Sequence, residues 1–128
     1  MYLDASALVK LVAPEAETEA LAAFLAQHRS QATSVLGLVE VRRVAARRPG
    51  VARERVEDVL GRISAIGLDS TTIAAPGSIG PAALRTLDAI HLASAAALGD
   101  DLEAFVTYDR RLADAARVLG LPDVAPGA

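Results

Sequence analysis

Four acidic side chains occupy places where a folded chain has more chemical than structural use for a carboxylate: Asp4, Glu40, Asp88 and Asp109. Asp4 follows the short apolar run Met1-Tyr-Leu, and Asp109 follows Ala104-Phe-Val-Thr-Tyr. Asp88 comes two residues after Thr86 at the head of an apolar stretch, and Glu40 lies in the first half of another. Taken singly, each has an ordinary role. Asp109 is a natural helix N-cap, Asp88 suits the positive end of a helix dipole, Glu40 pairs with Arg43 at i,i+3, and Asp4 serves as a turn former. Taken together, they point to one place. In a parallel α/β layer, strand C-termini and the N-termini of the following helices share one edge, so all four acids are expected around a single crevice. Crowded carboxylates repel, and some protonate unless a cation lies between them. All-oxygen donors, with no cysteine and no histidine cluster, suit Mg²⁺ or Mn²⁺ rather than zinc. Such an ion polarises a phosphoryl oxygen and acidifies a bound water, the equipment of phosphodiester hydrolysis. Ser6 and Thr107, each two residues from an acid, are the supporting candidates, and capping or turn bonding is their ordinary alternative.

The elements that position these residues can be read in chain order. A strand ending at Asp4 is followed by a short helix over residues 7–12, with Ser6 as its expected cap, stopped near Pro14. A helix over 17–28 carries Leu21, Phe24, Leu25 and His28 at helical spacing. A weak strand over 31–34 leads to a helix over 35–48 capped by Ser34 and broken by Pro49-Gly50. Another helix covers 52–63, and a third strand is expected over 65–68. Residues 70–81 form a connector rich in turn formers, with room for one helical turn. An apolar helix over 87–98, capped by Thr86, precedes the clear strand 104–107, a helix over 110–119 and a short strand over 121–124. Strands alternating with helices predict an α/β fold: a three-layer α/β/α sandwich around a mostly parallel sheet of four to five strands. We expect residues 1–128 to form one domain.

The composition narrows the setting. The chain has 128 residues, no cysteine and a net charge of −3, so disulfides and thiolate metal sites are excluded. No apolar run approaches the ~18 residues of a membrane span, and the start lacks the basic and apolar regions of a secretory signal. A cytoplasmic protein is expected. A negative net charge argues against nucleic-acid binding, but the cations are unevenly placed. Of 13 basic residues, Arg42, Arg43, Arg47, Arg48, Arg53, Arg55 and Arg62 crowd into the stretch from 42 to 62. A solvated helical face is the ordinary reading of that cluster, and phosphate binding is the other.

Four segments carry a resemblance. Tyr2-Leu-Asp4-Ala-Ser6-Ala-Leu-Val-Lys10, Thr33-Ser-Val-Leu-Gly-Leu-Val-Glu40-Val-Arg-Arg43, Leu84-Arg-Thr-Leu-Asp88-Ala-Ile-His91-Leu-Ala-Ser94 and Phe105-Val-Thr107-Tyr-Asp109-Arg-Arg-Leu112 stand in order over nearly the whole chain. They resemble the motifs of PIN-domain nucleases, specifically VapC-type toxins of bacterial toxin–antitoxin pairs. That resemblance implies a Mg²⁺-dependent endoribonuclease that cleaves cellular RNA and halts translation. It implies a homodimer, held inactive by a cognate antitoxin whose tail fills the acidic groove. It also implies Asp4, Glu40, Asp88 and Asp109 as catalytic residues, with Asp4, Asp88 and Asp109 on the metal. The connector at 70–81 matches the family least.

Other readings stand beside this one. His91, three residues after Asp88, is a candidate general base, although a packed or supporting imidazole is the ordinary outcome. His28 reads as core edge. Arg85, Arg110 and Arg111 border the acids and are candidates for RNA phosphates or for plain surface roles. Receiver and haloacid-dehalogenase-like phosphatases also use a strand-end Asp, but they need a late lysine, and Lys10 is the only lysine here. A housekeeping RNA-processing nuclease and a non-catalytic module whose acids dock a basic partner are the remaining alternatives.

Overall fold

Tyr2 and Leu3 form β1, the middle strand of a five-stranded sheet in which every pairing is parallel. The computed structural model describes residues 1–77, 79–80 and 84–128. Among them β1 is followed by α1 (Ala5–Val12), α2 (Thr18–Ala26), β2 (Ala32–Ser34), α3 (Val35–Ala46), α4 (Arg53–Leu60) and β3 (Ser64–Ile66). Then come α5 (Ser70–Ala74), α6 (Thr86–Ala96), β4 (Phe105–Val106), α7 (Arg110–Val118) and β5 (Asp123–Val124). The strand order is β3-β2-β1-β4-β5. The chain therefore leaves β1 on one side for β2 and β3, and on the other for β4 and β5. Strand order reverses between β1 and β4, just below Asp4. Open α/β sheets bind their ligands in the crevice outside such a switch point.

The strand period of two separates the layers. Leu3 and Val106 face a core shared with Leu8, Val12, Leu21, Val41, Val56 and Leu60, from α1 to α4. Tyr2 and Phe105 face the opposite core with Leu92, Leu112 and Ala116, from α6 and α7. This is the expected α/β/α sandwich. Tyr2 and Phe105 stack, with ring centroids 5.6 Å apart and planes 9° from parallel.

Local signals misplaced two caps and one strand. Asp4, not Ser6, caps α1: its backbone is extended, and its carboxylate accepts the Ala7 N–H. Thr86 is the first residue of α6 rather than its cap, because Arg85 is the extended residue that precedes the helix. β3 lies at 64–66 rather than 65–68, in register with Ala32–Ser34 of β2. The connector contains α5, whose capping box joins Asp69 and Thr72, and a 3₁₀ turn at Ala75–Gly77. Ser78 and Pro81 of that connector lie outside the described residues. Among the described residues no helix is long and apolar enough to cross a membrane.

Candidate active site

Asp4 lies at the end of the central strand and is almost fully buried, at 3% exposure. Its Oδ1 accepts the Ser6 hydroxyl at 2.6 Å and the Ala7 N–H at 2.9 Å. Its Oδ2 accepts the Thr107 hydroxyl at 2.5 Å. Burial pushes this carboxyl above its ordinary range, against the pull of those three donors. The two hydroxyls also accept: Ser6 Oγ takes the Tyr108 N–H at 2.8 Å and Thr107 Oγ1 takes the Asp109 N–H at 3.1 Å. Each hydroxyl has a single proton, and each gives it to Asp4. The ends of β1 and β4 are thereby tied together, and Asp4 Oδ2 keeps one lone pair without a donor among the described residues.

Asp109 caps α7, its Oδ1 accepting the N–H groups of Arg111 at 2.8 Å and Leu112 at 3.3 Å. Its capping role and its place beside Asp4 are compatible, because the cap uses one oxygen. Asp88 lies in the first turn of α6 and has no hydrogen-bond partner among the described residues. Its carboxyl is raised by burial, then by the charge of Asp109, with Asp4 and Glu40 adding in the same direction. The four acids thus share one electrostatic field, and Asp88 bears the repulsion.

Glu40 enters from α3. Instead of pairing with Arg43, its Oε1 meets His91 Nε2 at 2.8 Å. The other ring nitrogen of His91, Nδ1, meets the Tyr2 hydroxyl at 2.7 Å, and that hydroxyl accepts the Ser34 N–H at 3.0 Å. The imidazole is buried and belongs to the support of Glu40. Tyr2 has no local sequence signal for this role, since a tyrosine in a buried strand reads as packing. Gly37 was also not legible: a Cβ there would collide with Thr33 Oγ1 and lie 3.1 Å from His91 Cε1. Its bare backbone leaves room for the Thr33 hydroxyl and the His91 ring.

A groove of about 930 Å³ opens beside Asp88 and Asp109, and Arg85, Arg110 and Arg111 line it. The cluster in the middle of the chain is employed differently. Arg42 forks onto Glu57 at 2.9 Å through both nitrogens, Arg48 pairs with Glu15 at 2.8 Å, and Arg55 holds the Leu11 carbonyl at 3.0 Å. Lys10 is bound to Glu15 at 2.6 Å and Glu17 at 2.8 Å, over the ring of Tyr108. It does not serve the crevice as a phosphatase lysine would. His28 is half-buried and holds the Phe24 carbonyl through Nδ1 at 2.9 Å.

The donor set fits a hard divalent cation. Asp88, the free oxygens of Asp109 and Glu40, and the open lone pair of Asp4 are all anionic oxygen. Among the described residues no three of these groups stand close enough to enclose an ion by themselves. Mg²⁺ does not require that, since it keeps several waters and takes only one or two carboxylates directly.

The PIN domain family model matches residues 1–118, and the chain belongs to the PIN-domain family. Within it, the chain is 45% identical to Ribonuclease VapC47 of Mycobacterium tuberculosis (strain CDC 1551 / Oshkosh), across 100% of this chain and 98% of that one. It is 40% identical to Ribonuclease VapC46 of Mycobacterium tuberculosis (strain ATCC 25618 / H37Rv), across 98% and 97%. Its fold is similar to that of VapBC2 from Rickettsia felis, solved bound to a DNA fragment from the promoter, with a TM-score of 0.69 at 15% identity over 98% and 97% of the two chains. FitAB bound to an IR36 DNA fragment gives 0.69 at 16% identity over 100% and 96%. At those identities the structural likeness concerns the fold.

Proposed function

We propose that this chain is a divalent-metal-dependent endoribonuclease of the VapC type, a toxin that cleaves cellular RNA to stop translation and is neutralised by a cognate antitoxin. The observation that carries the reading is the gathering of Asp4, Glu40, Asp88 and Asp109 at the switch point of a parallel sheet. Identity of 45% along the full chain to a named ribonuclease supports it. RNA as the substrate class rests on those relatives.

Asp4, Asp88 and Asp109 would hold Mg²⁺ or Mn²⁺. When bound, the ion supplies phosphoryl polarisation and an acidified water. The chain's own residues do the rest. Ser6, Thr107 and the Ala7 N–H hold the Asp4 carboxylate in one orientation. Asp109 is oriented by its capping bonds. Glu40 Oε2, left free by the bond from His91 to Oε1, would take a proton from the attacking water. Arg85, Arg110 and Arg111 meet RNA phosphates along the groove. The same groove has an apolar flank of Leu84, Val118 and Leu119, which suits the tail of an antitoxin. A homodimer acting in the cytoplasm completes the proposal. Loss of RNA cleavage in EDTA and in Asp4→Asn tests it.

A further inference from the structure

We propose that Tyr2 and His91 are positioning residues that hold Glu40 in its working orientation through a directional hydrogen-bond relay. The inference rests on the nuclease reading above and adds the device that aims one of its acids. The direction of the relay follows from its two fixed ends. The Ser34 backbone N–H can only donate, so the Tyr2 oxygen accepts there, at 3.0 Å. At the other end the Glu40 carboxylate only accepts, so Nε2 carries the proton of the neutral ring and Nδ1 is left to accept the Tyr2 proton, at 2.7 Å. Nε2 donates to Glu40 Oε1 at 2.8 Å. The side chains of Thr33 and Ser94 also approach the Tyr2 hydroxyl. Their own hydroxyls are buried without a hydrogen-bond partner, so neither competes for its proton in bonding geometry.

The surroundings hold the relay still. Tyr2 is fully buried, and His91 is buried beside it. Their rings meet edge to face at 5.7 Å and 76°, while Tyr2 stacks on Phe105 from the other side. Gly37 leaves the space that the imidazole and Thr33 need. Glu40 is partly exposed on α3, its side chain at 22%, whereas His91 sits on α6 in the opposite layer. Without the relay, the side chain of Glu40 would sample several rotamers in water. With it, Oε1 is anchored and Oε2 keeps no hydrogen-bond partner among the described residues. Small misplacements of a reacting group are costly in rate, and second partners of site residues are correspondingly sensitive.

The test combines nitrogen-15 NMR of the His91 ring in the full chain with RNA cleavage by wild type, Tyr2→Phe, His91→Leu and His91→Gln. The wild-type ring is expected to carry its proton on Nε2 alone, and Tyr2→Phe to mix the two tautomers. His91→Leu is expected to lower kcat by about 10- to 100-fold with KM nearly unchanged, as for other supporting partners. His91→Gln, whose amide donates from nearly the same point as Nε2, is expected to recover most of that loss. A wild-type ring proton on Nδ1 overturns the relay, as does equal impairment of the Leu and Gln variants or a fully active His91→Leu. The ring measurement needs no substitution and no activity. An inactive wild type would therefore overturn the nuclease reading separately, while the tautomer still decides the relay.

Discussion

Thr107 gives its hydroxyl proton to Asp4 at 2.5 Å across 103 positions of sequence, and takes the Asp109 N–H at 3.1 Å on the same oxygen. One side chain thus fixes the carboxylate at the end of β1 relative to the one that opens α7. Thr107→Val keeps the shape and removes both bonds. It is expected to destabilise the fold by about 1–3 kcal/mol, the cost of leaving buried polar groups unpaired. Cleavage should fall at least about tenfold, since a small misplacement of a reacting group costs that much or more. Thr107→Ser should restore it. Urea unfolding and kcat on the same samples check both.

The stability of the metal-free protein carries a pH signature. Asp4 and Asp88 are raised, the first by burial and the second by burial and then by Asp109. An acid raised in the fold binds its proton more tightly folded than unfolded. Stability from these groups is therefore full below the unfolded value, about 3.9, and lost as pH rises through the folded one. Glu15, Glu17, Glu57 and Asp69 are lowered and slope the other way. The difference between wild type and Asp4→Asn isolates the effect. In EDTA, Asp4→Asn should gain on wild type in Tm as pH rises above about 4, and Mg²⁺ should raise the Tm of wild type much more than that of the variant. Parallel curves would contradict this account of Asp4.

Gly37 opposes helix propensity. Alanine is favoured over glycine inside a helix by about 1 kcal/mol, yet a Cβ here collides with the hydroxyl of buried Thr33. Threonine is stiff at χ1, so it does not yield easily. Gly37→Ala should therefore destabilise by about 1–3 kcal/mol, read as a fall in Tm, and should disturb the His91 resonances.

The arginines divide into two groups. Arg110 and Arg111 are exposed in the groove beside Asp109, whereas Arg42 is committed to Glu57. Arg110→Ala and Arg111→Ala should each weaken RNA binding and flatten its salt dependence by about 0.7 in log–log slope for every phosphate no longer neutralised. Arg42→Ala should leave that slope unchanged. Binding of single-stranded RNA over a range of NaCl concentrations separates them.

How far the sequence anticipates this structure depends on whether a signal is local. β1 and β4 are short apolar runs closed by acids, so their positions, and those of Asp4 and Asp109, were legible. The Ser34 cap was also legible, and the structure shows its oxygen accepting the Leu36 N–H. Where two cap formers stood within three residues, at Asp4 and Ser6, the choice turned on which backbone was extended. β3 is an exposed edge strand whose register comes from β2. Glu40 shows the limit most clearly: its local partner, Arg43, lost to His91, 51 positions away. Tyr2 and Gly37 matter only because of what the fold brings against them.

The central claim is that the acidic crevice cleaves RNA. The most direct measurement is incubation of total cellular RNA with purified protein in Mg²⁺, in Mn²⁺ and in EDTA, alongside Asp4→Asn and Asp88→Asn. We expect fragments with either ion, none in EDTA, and at least a ~100-fold loss in each variant, consistent with removal of a group that stabilises the transition state electrostatically. Cleavage that persists in EDTA, or that wild type and both variants share equally, would contradict the assignment.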